Sequence, residues 1–330
     1  MPDQPRDATR RRPLLKRAIF GRAGFGSTGF GSTGETDLGP SGTSGRAVTG
    51  TVLDASPHIL VIATEAGAEE RFALMDATSA WRGGAVAPAS LPPGCRVVLR
   101  RDARRRVADR IWADIGRVTG TIAERTGDTL LVDQGHSRGR GVLVFSGRSS
   151  GRILVRFPKL EPGYLIDVIG LRRGGVVEAI SPATSQPPYH SQHVPRAALL
   201  RGHVPDTISG SAGWHEPADD PAGSAGAAYP ALDPASACGD AADCDAAVSC
   251  VRLPYLSIGS VLLVRNDCSG DAANVQVSTC GSVASRFCDR CLACGLSPRG
   301  RVVDLTIASF VELGGELHAG CFNTTIRIGA

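Results

Sequence analysis

The sequence predicts an all-β fold with one short helix, built as two small antiparallel barrels followed by a third, cysteine-rich β domain. Three observations predict it. Gly (41) and Pro (21) are abundant among the 330 residues, which favours short strands and turns over long helices. Residues 46–182 read as an internal duplication. The last third reads as strands with one short helix and holds nine of the ten cysteines.

Residues 1–45 carry no periodic apolar pattern and contain the tandem Gly24-Phe25-Gly26-Ser27-Thr28 and Gly29-Phe30-Gly31-Ser32-Thr33. Such a segment buries too little to offset its ordering entropy and is expected to be a disordered basic tail. The glycines do not make a phosphate loop, because no Gly-Lys-Ser/Thr follows. Arg11-Arg12-Pro13-Leu14-Leu15-Lys16 resembles a twin-arginine export signal, although Arg17 and Arg22 interrupt its hydrophobic stretch. No window is apolar enough to span a membrane as a helix.

The first repeat is expected over 46–116 and the second over 117–182. Val48-Thr49-Gly50-Thr51-Val52 opens one and Val118-Thr119-Gly120-Thr121-Ile122 the other, each followed by an apolar strand. Leu91-Pro92-Pro93-Gly94-Cys95 answers to Leu160-Glu161-Pro162-Gly163-Tyr164. About seventy residues of short strands and turn signals describe a small antiparallel barrel. The pattern resembles the OB-like repeats of bacterial envelope proteins. Residues 1–205 hold 29 Lys/Arg against 18 Asp/Glu, while 206–330 hold 7 against 14, so the basic charge lies on this half. A basic barrel can bind nucleic acid, but the aromatics here are few and form no stacking array, so nucleic acid is an unlikely partner. A spacer or interaction module is the plainer expectation. Residues 183–207, broken by Pro187, Pro188, Pro195 and Pro205, read as a linker. His190, His193 and His203 fall there without the rigid frame that a metal site needs.

In the third domain, 208–330, Val261–Val264 and Val275–Val277 read as strands, and Phe322–Ile328 as a half-buried closing strand. Thr306 is placed to cap a helix carrying Ile307, Phe310, Val311 and Leu313 and ended by Gly314-Gly315. Cys238, Cys244, Cys250, Cys268, Cys280, Cys288, Cys291, Cys294 and Cys321 form a disulfide-candidate set, which points to an extracellular or envelope location. Nine is odd, so at least one thiol stays unpaired within the domain, or pairs with Cys95 or another chain. Cys288-x-x-Cys291-x-x-Cys294 with Cys280 has zinc-like spacing. A disulfide-pinned loop is favoured, and neither a resident metal nor a cofactor is expected.

Several segments, in order, carry a resemblance. Gly210-Ser211-Ala212-Gly213-Trp214-His215, Ala237-Cys238-Gly239, Leu253-Pro254-Tyr255 to Val264, and Arg301-Val302-Val303-Asp304-Leu305-Thr306-Ile307 are similar to the double-psi β-barrels of rare lipoprotein A, expansins and barwin-like proteins. The resemblance implies a six-stranded barrel with a groove for cell-wall polysaccharide, either peptidoglycan or a cellulose-like glycan. It also implies a site role for Asp304, whose alternative is to cap the helix that follows. Two family positions depart: a second Asp stands here as Thr279, and a His as Cys250. Neither supplies a general acid near neutral pH. Asp289 or His215 could substitute sterically, although nothing in the sequence places either one there. Trp214 and Tyr255 can stack on a sugar ring or pack in the core. Asn323-Thr324-Thr325 fits a glycosylation sequon. The expected function is binding, possibly loosening, of wall polysaccharide. Lytic cleavage of peptidoglycan and nucleic-acid binding by the basic barrels are the alternatives.

Overall fold

The computed structural model describes residues 45–102, 105–135, 138–147, 149–194, 206–216, 225–233, 251–287 and 300–329. The expected tail up to Ser44, the Arg11-Arg12 pair, His203, Asp289, and Cys238, Cys244, Cys250, Cys288, Cys291 and Cys294 lie outside the described residues.

The architecture is all-β. The first repeat contains β1 (Ala47–Ala55), β2 (Ile59–Thr64), β3 (Glu69–Trp81), β4 (Ala85–Val86), β5 (Arg96–Arg101) and β6 (Val107–Ala113). The second contains β7 (Ile115–Thr126), β8 (Thr129–Asp133), β9 (Arg140–Val144), helix α1 (Ser150–Arg156), β10 (Leu165–Arg173) and β11 (Val176–Pro182). In the second repeat β7 pairs antiparallel with β8 and β10, β10 with β11 and β8 with β9, and β9 runs parallel to β11, closing a five-stranded barrel. The first repeat has the same pairings in the same order. Its β1 pairs with β2 and β5, β5 with β6, β2 with β3, and β3 runs parallel to β6, so five strands return on themselves and β4 hangs from β3.

The match extends to single residues, and it explains the repeated motif. A Cβ on Gly50 would sit 2.4 Å from the Ala63 carbonyl oxygen, and one on Gly120 would sit 2.0 Å from that of Asp133. Only glycine lets the neighbouring strand approach so closely. A bulge follows at the same place in each copy, between Val52 and Asp54 and between Ile122 and Glu124. Gly94 N–H then donates to the Val52 carbonyl at 2.8 Å, and Gly163 N–H to the Ile122 carbonyl at 2.7 Å. Both of these glycines have positive φ, 83° and 88°, as the Pro-Gly turns require.

The third domain is a closed six-stranded barrel of β12 (Thr207–His215), β13 (Ala227–Tyr229), β14 (Val261–Asn266), β15 (Ala272–Cys280), β16 (Arg301–Thr306) and β17 (Cys321–Ile328), in the order β12-β16-β13-β15-β14-β17. Two of its pairings, β12 with β16 and β13 with β15, are parallel and join strands distant in sequence. Helix α2 (Ile307–Glu312) follows β16 as expected: the Thr306 hydroxyl accepts from Ser309 N–H, and Gly314 closes the helix with φ 71°.

Each small barrel has its own apolar core, built around Phe72, Leu99 and Ile111 in the first and Leu143, Phe157 and Val168 in the second. The core of the six-stranded barrel does not stop at its own strands. It continues through Trp81, Trp112, Ile169 and Leu171 of the small barrels, and Thr43–Ala330 forms one compact unit. The first part of the expected linker is laid onto these barrels. Ala183 and Thr184 are buried, and Tyr189 Oη donates to the Arg286 carbonyl at 2.8 Å.

Candidate functional site

Strands β7, β10 and β16 each place a charged residue, Arg117, Asp167 and Arg301, in a buried stretch, and the fold brings the three together. Asp167 of β10, fully buried, accepts from five donors. Arg117 Nε and Nη2 reach its two oxygens at 2.7 Å each, Thr119 Oγ1 at 2.8 Å, Thr184 Oγ1 at 3.1 Å, and Arg301 Nη2 at 2.6 Å. Arg117 then extends Nη1 to the carbonyls of Trp214 (2.8 Å) and Gly320 (2.9 Å). Burial alone would push the Asp167 carboxyl up. The two guanidiniums and the hydrogen bonds override it and hold the group far below the usual carboxylate range. The second barrel is therefore fastened to the six-stranded barrel by a desolvated ion network.

Asp304 lies next to this network, one strand from β12 and one from β13, opposite Gly213 and Ala228. Its side chain is shut away from solvent, with Arg138 Nη2 at 3.2 Å from Oδ2 and Arg301 Nη1 at 3.7 Å from Oδ1. Arg138 comes from the second barrel, between β8 and β9, so that barrel occupies the space in front of Asp304. Gly213 makes the meeting possible, since a Cβ there would stand 2.3 Å from Asp304 Oδ1 and 3.1 Å from Arg117 Nη1. Burial raises the Asp304 carboxyl, but Arg301, Arg138 and Arg117 outweigh it and keep it below its ordinary value. An enclosed carboxylate whose charged form three guanidiniums favour is poorly placed to give a proton near neutral pH, which speaks against a general-acid role for Asp304. It is not the helix cap either, because Thr306 takes that role.

The other sequence candidates separate. Trp214 is 1% exposed, donates its Nε1–H to the Leu317 carbonyl at 2.8 Å and lies under Arg117, so it is a core residue and not a sugar platform. Tyr255 is 45% exposed, with Ile258 and Val261 near it in sequence and also exposed, and it is available for stacking. Thr279 is partly buried opposite Ala228, the residue that also faces Asp304, so Thr279 and Asp304 share one row of the sheet. Two strand spacings separate them, roughly 10 Å. His215 is buried, and burial together with the charge of Arg138 pushes its imidazole down to about 3, so it is neutral across the physiological range. Asn323 is fully buried in β17, which closes the sequon to modification in the folded protein.

The cysteine expectations are corrected at one position. Cys321, a disulfide candidate, is a thiol whose Sγ donates to the Ala183 carbonyl at 3.8 Å, inside the packed junction. Its removal leaves eight candidates, an even number. Cys268 and Cys280 are disulfide-bonded, so Cys280 cannot be a fourth zinc thiolate. Cys95 is a buried free thiol, which burial raises to about 11. Among the described residues no group of His, Cys, Asp and Glu is arranged to hold a metal.

Where the three barrels meet, a cleft of about 300 Å³ opens beside Trp214, His215 and Glu216 at the end of β12. Arginines of both small barrels line it, and Glu216 pairs with two of them, Arg96 at 3.2 Å and Arg172. Sequence reasoning passed over this whole constellation. The signal present was a charge set among apolar residues: Arg117 in Ile-Gly-Arg-Val, Asp167 in Leu-Ile-Asp-Val-Ile, Arg301 and Asp304 flanking Val-Val. The chain matches no known family and no curated protein.

Proposed function

We propose that the protein is a non-cleaving binder of cell-wall polysaccharide, acting in the envelope or outside the cell through its six-stranded barrel. What supports the wall-directed part is the ordered set of segments that resemble the double-psi β-barrels of rare lipoprotein A and expansins, on a chain whose last domain has six strands in a closed barrel. The observation that carries binding over cleavage is the state of Asp304. Its carboxylate is buried behind Arg138 and Arg301 and stays ionised, and Thr279 stands where the family has a second acid. Sugar contact falls to the exposed surface around Tyr255, Ile258 and Val261. An aromatic face there can cover the apolar face of a pyranose.

Co-sedimentation of the full chain with insoluble peptidoglycan and with cellulose tests this reading. The protein is expected in the pellet with at least one polymer, with no soluble muropeptide or sugar released. Tyr255→Ala is expected to weaken binding by about 1 kcal/mol, roughly fivefold. Absence from the pellet with every wall polymer overturns the proposal. Release of fragments that Asp304→Asn abolishes would restore the enzymatic alternative.

A further inference from the structure

The cleft between the barrels concentrates positive charge beyond what the surrounding carboxylates neutralise. Arg96, Arg117, Arg138, Arg140 and Arg172 line it, against the single acid Glu216. Behind the wall stands Arg301, with Asp167 and Asp304 as the buried counter-charges. Among the described residues six guanidiniums thus face three carboxylates, and counting Glu65, 3.7 Å from Arg96, and Asp133, opposite Arg140 in the β8–β9 register, still leaves an excess of positive charge. Asp167 is committed to Arg117 and Arg301, and Glu216 is shared between Arg96 and Arg172. Arg140 is exposed and forms no ion pair among the described residues.

A second observation points the same way. Arg172 Nε is shielded from solvent and has no acceptor among the described residues. A buried N–H without a partner costs free energy that an incoming oxygen recovers. Low-dielectric walls around a half-enclosed space strengthen the attraction for an anion. Guanidinium forks are suited to the oxygens of phosphate and carboxylate. A flat carboxylate can engage one fork. A tetrahedral dianion can take donors from several directions at once.

We propose that this cleft is a phosphate-binding site, taking the phosphate group of a small ester or of a phosphorylated polymer, or the free ion. The site is independent of the wall-binding reading, because it uses neither Tyr255 nor the motifs of the six-stranded barrel beyond the end of β12.

Isothermal titration of the full chain with inorganic phosphate, in a low-salt buffer free of other oxyanions, tests the proposal. Saturable binding with one phosphate per chain is expected, falling with added salt. Arg140→Gln and Arg96→Gln are each expected to weaken it by about tenfold or more. Arg152→Gln, which removes the same charge from the exposed face of α1, is expected to leave it unchanged. Absence of saturable binding overturns the site, and so does equal weakening by all three variants, which would mark general attraction to a basic surface. Circular dichroism melts of each variant separate lost binding from lost folding, and Arg140, being exposed, leaves the core intact. Glycerol 3-phosphate forms a second arm. Binding as tight as that of phosphate supports an ester or polymer as the source, and binding of inorganic phosphate alone supports the free ion.

Discussion

Asp167 is the buried acid on which the ion network between the second and third barrels converges. Five donor atoms of four residues converge on it, three of them from the buried guanidiniums of Arg117 and Arg301. Asp167→Ala is therefore expected to destabilise the protein by about 3–5 kcal/mol, read as the shift in a urea unfolding midpoint, because it strands two buried charges. Acid should act through two groups in succession. His215 is held neutral with its folded value near 3, while the unfolded imidazole takes a proton near 6.5. The unfolded chain thus binds the extra proton first, and stability declines as pH falls below about 6.5. Asp167 and Asp304 have depressed folded values, so their contribution is whole above roughly pH 4 and is lost as pH falls further. Urea midpoints measured against pH should show both limbs, and His215→Gln should flatten the upper one. A midpoint independent of pH from 7 to 4 would contradict this account. The sequence displays these charges among apolar residues, yet which strands lie side by side is a long-range fact. Asp304 was visible from its motif, but its surroundings were not, since Arg138 approaches from another barrel.

The repeated barrel is where local sequence said most. Val-Thr-Gly-Thr and Pro-Gly survive in both copies because a close strand crossing and a positive φ leave no substitute for glycine. Gly120→Ala and Gly50→Ala should each cost about 1–3 kcal/mol by overpacking against a backbone carbonyl, lowering the melting temperature with the fold retained. Gly127→Ala, at a turn with open space around it, has no such clash, although its φ of 59° keeps it from being neutral. Other elements were hidden. Strand β3 runs thirteen residues, but its alternation breaks where its register with β6 slips between Leu74 and Ser79. Helix α1 carries Ile153-Leu154-Val155, residues that read as strand in isolation, and only Ile153 of them is buried. The cap at Thr306 was legible because capping is decided within four residues.

At the scale of the whole molecule, the indole of Trp112 in the first barrel donates to His318 Nδ1 at 3.1 Å, and Trp81 stacks on the same imidazole. With one apolar cluster crossing the boundaries, calorimetry should record a single unfolding transition over Thr43–Ala330, with calorimetric and van't Hoff enthalpies in agreement. Separate transitions for the small barrels would show that the junction contributes little. Reduction with a mild thiol should lower that transition temperature, since Cys268 and Cys280 each take part in a disulfide, while the free thiol of Cys95 has nothing to release. The junction also has a chronology. A ribosome delivers Arg117 and Asp167 well before Arg301, which follows Asp167 by 134 residues. During that interval the early barrels hold an acid with only part of its complement of donors. The six-stranded barrel supplies the missing cation as it docks, so a nascent chain halted before residue 301 should leave Asp167 incompletely satisfied and vulnerable to proteolysis, and the later barrel locks the one made before it.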